Sequence, residues 1–137
     1  MVMENTRLAE GAAGRYKYVC VVLQYDGDKL HRDKLTEVVR GLEGSAAAAK
    51  KQYNMRMVSS ETSERLSGFE HNAVTPLGML TPMPIILSAP IKDLPDGQVW
   101  LGGGEPDLKL SVDIKQFVAV FQAALGGLPV EFADVVG

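Results

Sequence analysis

The stretch "VWLGGGEPDLKLSV", residues 99–112, places three consecutive glycines, an acid and a proline between two apolar runs. The residues after the glycines decide the fold. A Walker A loop is G-x-x-x-x-G-K-[ST], whose backbone amides wrap the phosphates while the lysine and hydroxyl engage phosphate and magnesium. No Lys-Ser or Lys-Thr comes after the glycines here. A dinucleotide fingerprint, G-x-G-x-x-G, opens a helix. After Gly102 and Gly104 the third position is Asp107, and "LKLSV" continues as a strand. The stretch therefore reads as strand, glycine loop, strand, which argues against a nucleotide-binding crossover. Glycines in a row mean a backbone outside ordinary φ/ψ space or one too close to something for side chains. A tight turn and a pocket wall of bare backbone both satisfy that.

Upstream, "PIILSAPI" and "QVWLGG" read as buried strands separated by the turn "PDG", residues 95–97. "YKYVCVVLQY", residues 16–25, is rich in β-branched and aromatic residues and closes at "DGD", which predicts a central strand. "RDKLTEVVRGL" spaces Leu35, Val38, Val39 and Leu42 as one face of an amphipathic helix. "GSAAAAKKQ" prolongs it or forms a short second helix. "NMRMVS" alternates as a short strand, and "SSETSERLSG" predicts a short helix with Ser60 as cap and Gly68 as stop. "FEHNAVTPLGMLTPMP", dense in Pro and Gly, is a long ordered loop. Downstream, Ser111 is the expected cap of a helix whose Ile114, Phe117, Val118, Phe121 and Leu125 form one apolar stripe, stopped by Gly126 and Gly127. "PVEFADVV" adds a final strand. The order β-β-α-(α)-β-α-loop-β-β-β-α-(β) is that of a mixed α/β domain of the α+β type, with a curved, barrel-like sheet flanked by helices.

The chain's 137 residues suit a single domain, residues 1–137. Hydrophobic residues make up 46% and charged ones 23%, the balance of an ordinary globular protein. No apolar run approaches the roughly 18 residues of a membrane span, and residues 1–13 lack the pattern of a signal peptide. A cytoplasmic location is expected, and a membrane is not an expected partner. A net charge of −3 argues against indiscriminate nucleic-acid binding and against DNA as a partner. Eight Lys/Arg and five Asp/Glu between Lys29 and Arg65 nevertheless allow one basic face.

Cys20 is the chain's one cysteine, which excludes an internal disulfide, and its apolar setting reads as core. His31 and His71 have no clustered ligand partners in the sequence, so surface or hydrogen-bonded histidines are expected and a metal is not. Glu105 and Asp107 read as a turn pair rather than an acid/base pair. There is no G-x-S-x-G elbow. No cofactor is expected.

"GFEHNAVTPLGML", residues 68–80, followed by an apolar strand and then by "VWLGGGEPDLKLSVDI", residues 99–114, resembles the YbaK/prolyl-tRNA synthetase-associated domain family of aminoacyl-tRNA deacylases. "YKYVCVVLQYDGDKLHRDKLTEVV" is similar to that family's strand-turn-helix, and "RMVSSETSERLSGFE" to its strand and short helix before the loop. The resemblance implies a mixed, barrel-like sheet flanked by helices and hydrolysis of the ester of wrongly charged tRNA. It implies the aminoacyl 3′ end of tRNA as partner, and an aminoacyl-tRNA synthetase as a further one. A non-catalytic tRNA- or synthetase-binding member of the same family is the alternative it leaves open.

In that family the pocket is built largely from backbone, with a glycine four residues before the loop proline and a glycine-rich loop opposite. Pro76 matches the proline, and Gly102 to Pro106 match the second loop. The family glycine falls on Asn72, the kind of residue that best tolerates positive φ after glycine itself. The resemblance thus assigns Asn72, Gly102 and Gly103 to catalysis, through backbone groups that orient water or the terminal ribose hydroxyl and stabilise oxyanion charge. It assigns Val74, Thr75, Pro76, Met79, Leu101, Gly104, Glu105 and Pro106 to substrate binding. Size exclusion by Asn72, Val74, Met79 and Leu101 would select a small amino acid such as Ala, Pro, Ser or Cys. The family's lysine lies early in a strand that "MVMENTRL" resembles in its continuation, so it is expected just upstream of Met1, along with a first helix and strand.

Overall fold

The computed structural model describes residues 1–24, 28–69, 74–76, 79–94, 96–103, 108–124 and 128–137. The elements run in the order β1 (Val2–Asn5), β2 (Tyr18–Val22), α1 (Arg32–Glu43), β3 (Met55–Met57), α2 (Ser60–Ser67), β4 (Ile85–Ser88), β5 (Gln98–Gly102), β6 (Lys109–Asp113), α3 (Ile114–Ala124) and β7 (Val130–Ala133). "GSAAAAKKQ" does not prolong α1: Gly44, at φ 59°, ends it, and 3-10 turns succeed it at Gly44–Ala46 and Lys50–Gln52. Pro95 of the expected turn, and Leu125, Gly126 and Gly127 at the expected end of α3, lie outside the described residues.

The described strands form a five-stranded mixed sheet in the order β3-β1-β2-β4-β7 and a separate two-stranded ribbon, β5-β6. β1 is antiparallel to β2 and β3, whereas β2, β4 and β7 run parallel, with Cys20 opposite Ile85 and Ile85 opposite Val130. Parallel neighbours need long crossovers that cover the sheet. Residues between β2 and β4 contribute α1 and α2, and residues between β4 and β7 contribute the ribbon and α3. The sheet is mixed, as expected, but it is open and does not close into a barrel.

Successive strand residues point to opposite faces, and here both faces are buried. Val2, Cys20, Val22, Ile85, Leu87 and Val130 join Leu66 of α2, Val99 and Leu101 of the ribbon, and Ile114 and Phe117 of α3. Met3, Val19, Val21 and Ile86 join Leu35 and Val39 of α1, with Tyr53, Met55 and Val135. β2 and β4 are consequently near-continuous apolar runs, the pattern of strands covered on two sides.

Two helix starts differ from their sequence reading. α2 is capped by Ser59, whose Oγ accepts from the Thr62 N–H at 3.2 Å, one residue before the expected Ser60. α3 is capped by Asp113, whose Oδ1 accepts from the Gln116 N–H at 3.0 Å. Ser111 lies inside β6 opposite Trp100, and its hydroxyl bonds the Gln98 side chain at 3.0 Å, so it is unavailable to cap the helix. The strand extends until the first acceptor that reaches an N–H three residues on.

Candidate functional site

The long loop after α2 leaves and returns at a single point. Gly68 closes α2 in the left-handed region at φ 81°, with its N–H on the Glu64 carbonyl. Buried Ser67 accepts from the Phe69 N–H at 3.1 Å, so it fixes the departing chain. The chain comes back through Leu80 N–H to the Ser67 carbonyl at 3.1 Å and Thr81 N–H to the Leu66 carbonyl at 2.9 Å. Both ends of the excursion are thus tied to the last turn of α2. Within it, Thr75 and Pro76 are buried. Val74 and Met79 are half-buried and pack on the apolar cluster that contains Leu101.

The second segment is the ribbon. β5 and β6 pair with Val99 opposite Val112, Leu101 opposite Leu110 and Gly102 opposite Lys109. Leu101 is buried in the same cluster as the sheet's inner face. The Gly103 N–H donates to the Leu108 carbonyl at 2.9 Å. A Cβ on Gly103 would lie 2.5 Å from Leu108 Cγ, so the glycine makes room for a neighbouring side chain. Its amide is engaged in closing the ribbon and does not point free as an oxyanion donor. Val74, Thr75, Pro76, Met79, Leu101, Gly102 and Gly103 therefore lie on two segments that share one face of the sheet. Asn72, Gly104, Glu105 and Pro106 lie outside the described residues, as do His71 and Asp107.

"QVWLGG" is not buried throughout. Val99 and Leu101 face the core, whereas Trp100 between them is 69% exposed on the outer face. The run of apolar letters concealed this, because all-apolar composition hides the period of two that a ribbon covered on one side imposes.

Cys20 is buried, and desolvation pushes its thiol pKa up, so it is core filling with no nucleophilic character. His31 is the cap of α1, its Nδ1 accepting from the Lys34 N–H at 3.3 Å. Among the described residues no three His, Cys, Asp or Glu side chains gather as metal ligands would. Of the basic residues between Lys29 and Arg65, Lys34 pairs with Asp134 while Arg40 and Lys50 both pair with Glu37. Among the surface pockets lined by described residues are one of about 370 Å³ between the start of α1 and Tyr53–Met55, and one of about 550 Å³ between α3 and the turn at Asp96 and Gly97. Neither contains an expected site residue.

The model of the aminoacyl-tRNA editing domain family matches residues 42–120, a span that runs from the end of α1 into α3 and includes both loops. No curated protein matches the chain by sequence. Among solved structures, the chain is similar to a candidate trans-editing enzyme for prolyl tRNA synthetase at a TM-score of 0.66 and 20% identity, over 100% of this chain and 68% of that one. It is similar to a hypothetical protein at a TM-score of 0.66 and 14% identity, over 100% of this chain and 71% of that one. A third similarity is to a structure from work on grafting epitope backbones onto scaffold proteins by computational design. It has a TM-score of 0.59 and 22% identity, over 80% of this chain and 57% of that one. No helix among the described residues is long and apolar enough to cross a membrane.

Proposed function

The chain belongs to the aminoacyl-tRNA editing domain family, and from that premise we propose that it is a trans-acting aminoacyl-tRNA deacylase for tRNA carrying a small amino acid. In this reaction water adds to the ester carbonyl, the bond to the terminal ribose oxygen breaks, and free amino acid and tRNA leave. The observation that carries this assignment is the loop tied at both ends to α2, whose Val74 and Met79 pack on the cluster containing Leu101. Two segments far apart in sequence thereby contribute to one apolar cluster, on the ribbon that ends at Gly102 and Gly103. Packing of that kind supports selection by size, because one methylene more or less in an apolar pocket is worth roughly 10- to 200-fold.

In this proposal the site is held by one editing domain across residues 1–137, and Val74, Thr75, Pro76, Met79 and Leu101 enclose the aminoacyl group. Asn72 and the glycine loop from Gly102 through Gly104 to Glu105 and Pro106 orient water and the ribose hydroxyl through backbone groups. The Gly103 amide is already bonded to the Leu108 carbonyl and serves to close the ribbon. A cytoplasmic location and association with a synthetase belong to the same reading.

Tests use tRNAs mischarged with Ala, Pro, Ser, Cys and larger amino acids, incubated with this chain and with an upstream-extended form. Ester loss confined to small amino acids is expected, and Met79→Ala is expected to speed release of the next larger one by about ten-fold. tRNA binding without ester loss from either form would replace the deacylase with a non-catalytic tRNA- or synthetase-binding protein.

A further inference from the structure

Trp100 is the chain's one tryptophan, and it stands 69% exposed on the outer face of the β5–β6 ribbon. Val99 and Leu101 on either side are both in the core, so the alternation of the strand turns the indole outward. Its surroundings are specific. Directly across the ribbon is Ser111, held by its hydrogen bond to Gln98 at 3.0 Å, so the floor beside the indole is small and polar. Two residues along β5 is Gly102, and opposite Gly102 is Lys109, which is diagonal to Trp100 on the same pleated face and exposed. The described ion pairs do not include Lys109. An aromatic plane and a cation on one face, leading straight into the glycine loop, match the chemistry of single-stranded nucleic acid. Its bases stack on aromatic rings irrespective of sequence, and its phosphates take a lysine.

We propose that the Trp100 indole is a stacking platform for an unpaired base at the 3′ end of tRNA, next to the aminoacylated terminal nucleoside, with Lys109 on the phosphate between them. This rests on the deacylase reading for the position of the aminoacyl group, and it adds the means by which the RNA end is aligned. Trp100 and Gly102 share the outer face of the ribbon, roughly 7 Å apart along the strand, so the RNA end crosses at Gly102 to bring its aminoacyl group to the inner face that Leu101 lines. A neighbouring nucleotide spans such a distance. Trp100 is thus a positioning residue, since the base it holds is not the reacting group.

Because Trp100 is the only indole, its fluorescence reports on this site directly. The probe is an RNA hairpin ending in an unpaired CCA-3′, compared with the same hairpin made blunt. Saturable quenching by the first and not by the second is expected. Trp100→Ala is expected to weaken hairpin binding about ten-fold and Trp100→Phe to recover most of that loss. Lys109→Ala is expected to lower the slope of log affinity against log salt by about one. With mischarged tRNA, Trp100→Ala raises KM more than it lowers kcat. Equal quenching by the blunt hairpin, or unchanged binding by Trp100→Ala, overturns the proposal. So does a dimer that dissociates on Trp100→Ala while tRNA affinity stays constant, which would make the face a contact between copies. Binding is read without turnover, so quenching in a protein that releases no amino acid sinks the deacylase and leaves the platform. Unchanged KM in an active Trp100→Ala enzyme does the reverse.

Discussion

Asn5 is fully buried where β1 ends, and its amide is used on both sides. Oδ1 accepts from the Arg7 N–H at 3.2 Å and the Asn54 N–H at 3.0 Å, while Nδ2 donates to the Gln52 carbonyl at 3.3 Å. One side chain therefore completes the backbone bonding of two chain segments that a strand end would leave open. Asn5→Ala is expected to cost about 2 kcal/mol, seen as a fall in Tm of roughly 8 °C, because it strands donors in the interior. Asn5→Asp, which keeps Oδ1 as acceptor but sets a buried carboxylate oxygen against the Gln52 carbonyl, is expected to lose at least as much in a melt at neutral pH. No periodicity in "MVMENTRL" advertises this role, since an asparagine at a strand end is equally common as a solvated turn residue.

At the scale of elements, the loop that carries Val74 to Met79 depends on how α2 stops. Gly68 has φ +81°, and a Cβ there would meet Leu80 Cγ at 2.8 Å. Gly68→Ala combines left-handed strain with displacement of Leu80, so a loss of about 1–2 kcal/mol is expected in denaturant melts. Deacylation should fall further than that loss of stability explains, because the loop's return point moves with Leu80. An unchanged rate would separate the loop from the site. The stop signal was legible in "RLSG", and so were the existence and order of the helices, because capping and periodicity act over a few residues. The exact caps were not: Ser59 and Ser60 are chemically equal, and only the helix's first hydrogen bond distinguishes them.

For the whole molecule, the C-terminal segment closes over α1. Lys34 Nζ donates to Asp134 Oδ2 and to the Val136 carbonyl, each at 2.8 Å, and the His31 N–H donates to the Val135 carbonyl at 2.7 Å. The hydrogen bond from Lys34 holds the Asp134 carboxyl below its ordinary range. A depressed carboxylate stabilises the fold above its unfolded pKa, and that contribution is lost as pH falls through the lowered value. Asp134→Asn is therefore expected to lower Tm at neutral and alkaline pH and to leave it unchanged at the acid extreme, where the carboxyl is protonated anyway, so that the acid slope of Tm against pH flattens. The pair is exposed, so the effect should shrink in high salt.

Local chemistry determined a good deal by itself. Glycine and proline marked the loops, apolar spacing marked α1 and α3, and β-branched runs marked β2 and β4; each signal depends on residues a few places apart. The identity of "LKLSV" as a strand, which excluded a nucleotide loop, was of this kind. Tertiary structure decided what pairs with what. β5 joins β6 rather than β4, β2 and β4 run parallel, and the sheet stays open, since pairing is chosen by segments tens of residues apart competing for the same edge. It also decided which face each residue serves. Trp100 is outward because its neighbours went inward, and Gly103 is bare because Leu108 fills the space above it. Whether a side chain is buried, exposed or excluded depends on register and on neighbours that arrive only on folding, so no reading along the chain alone contains it.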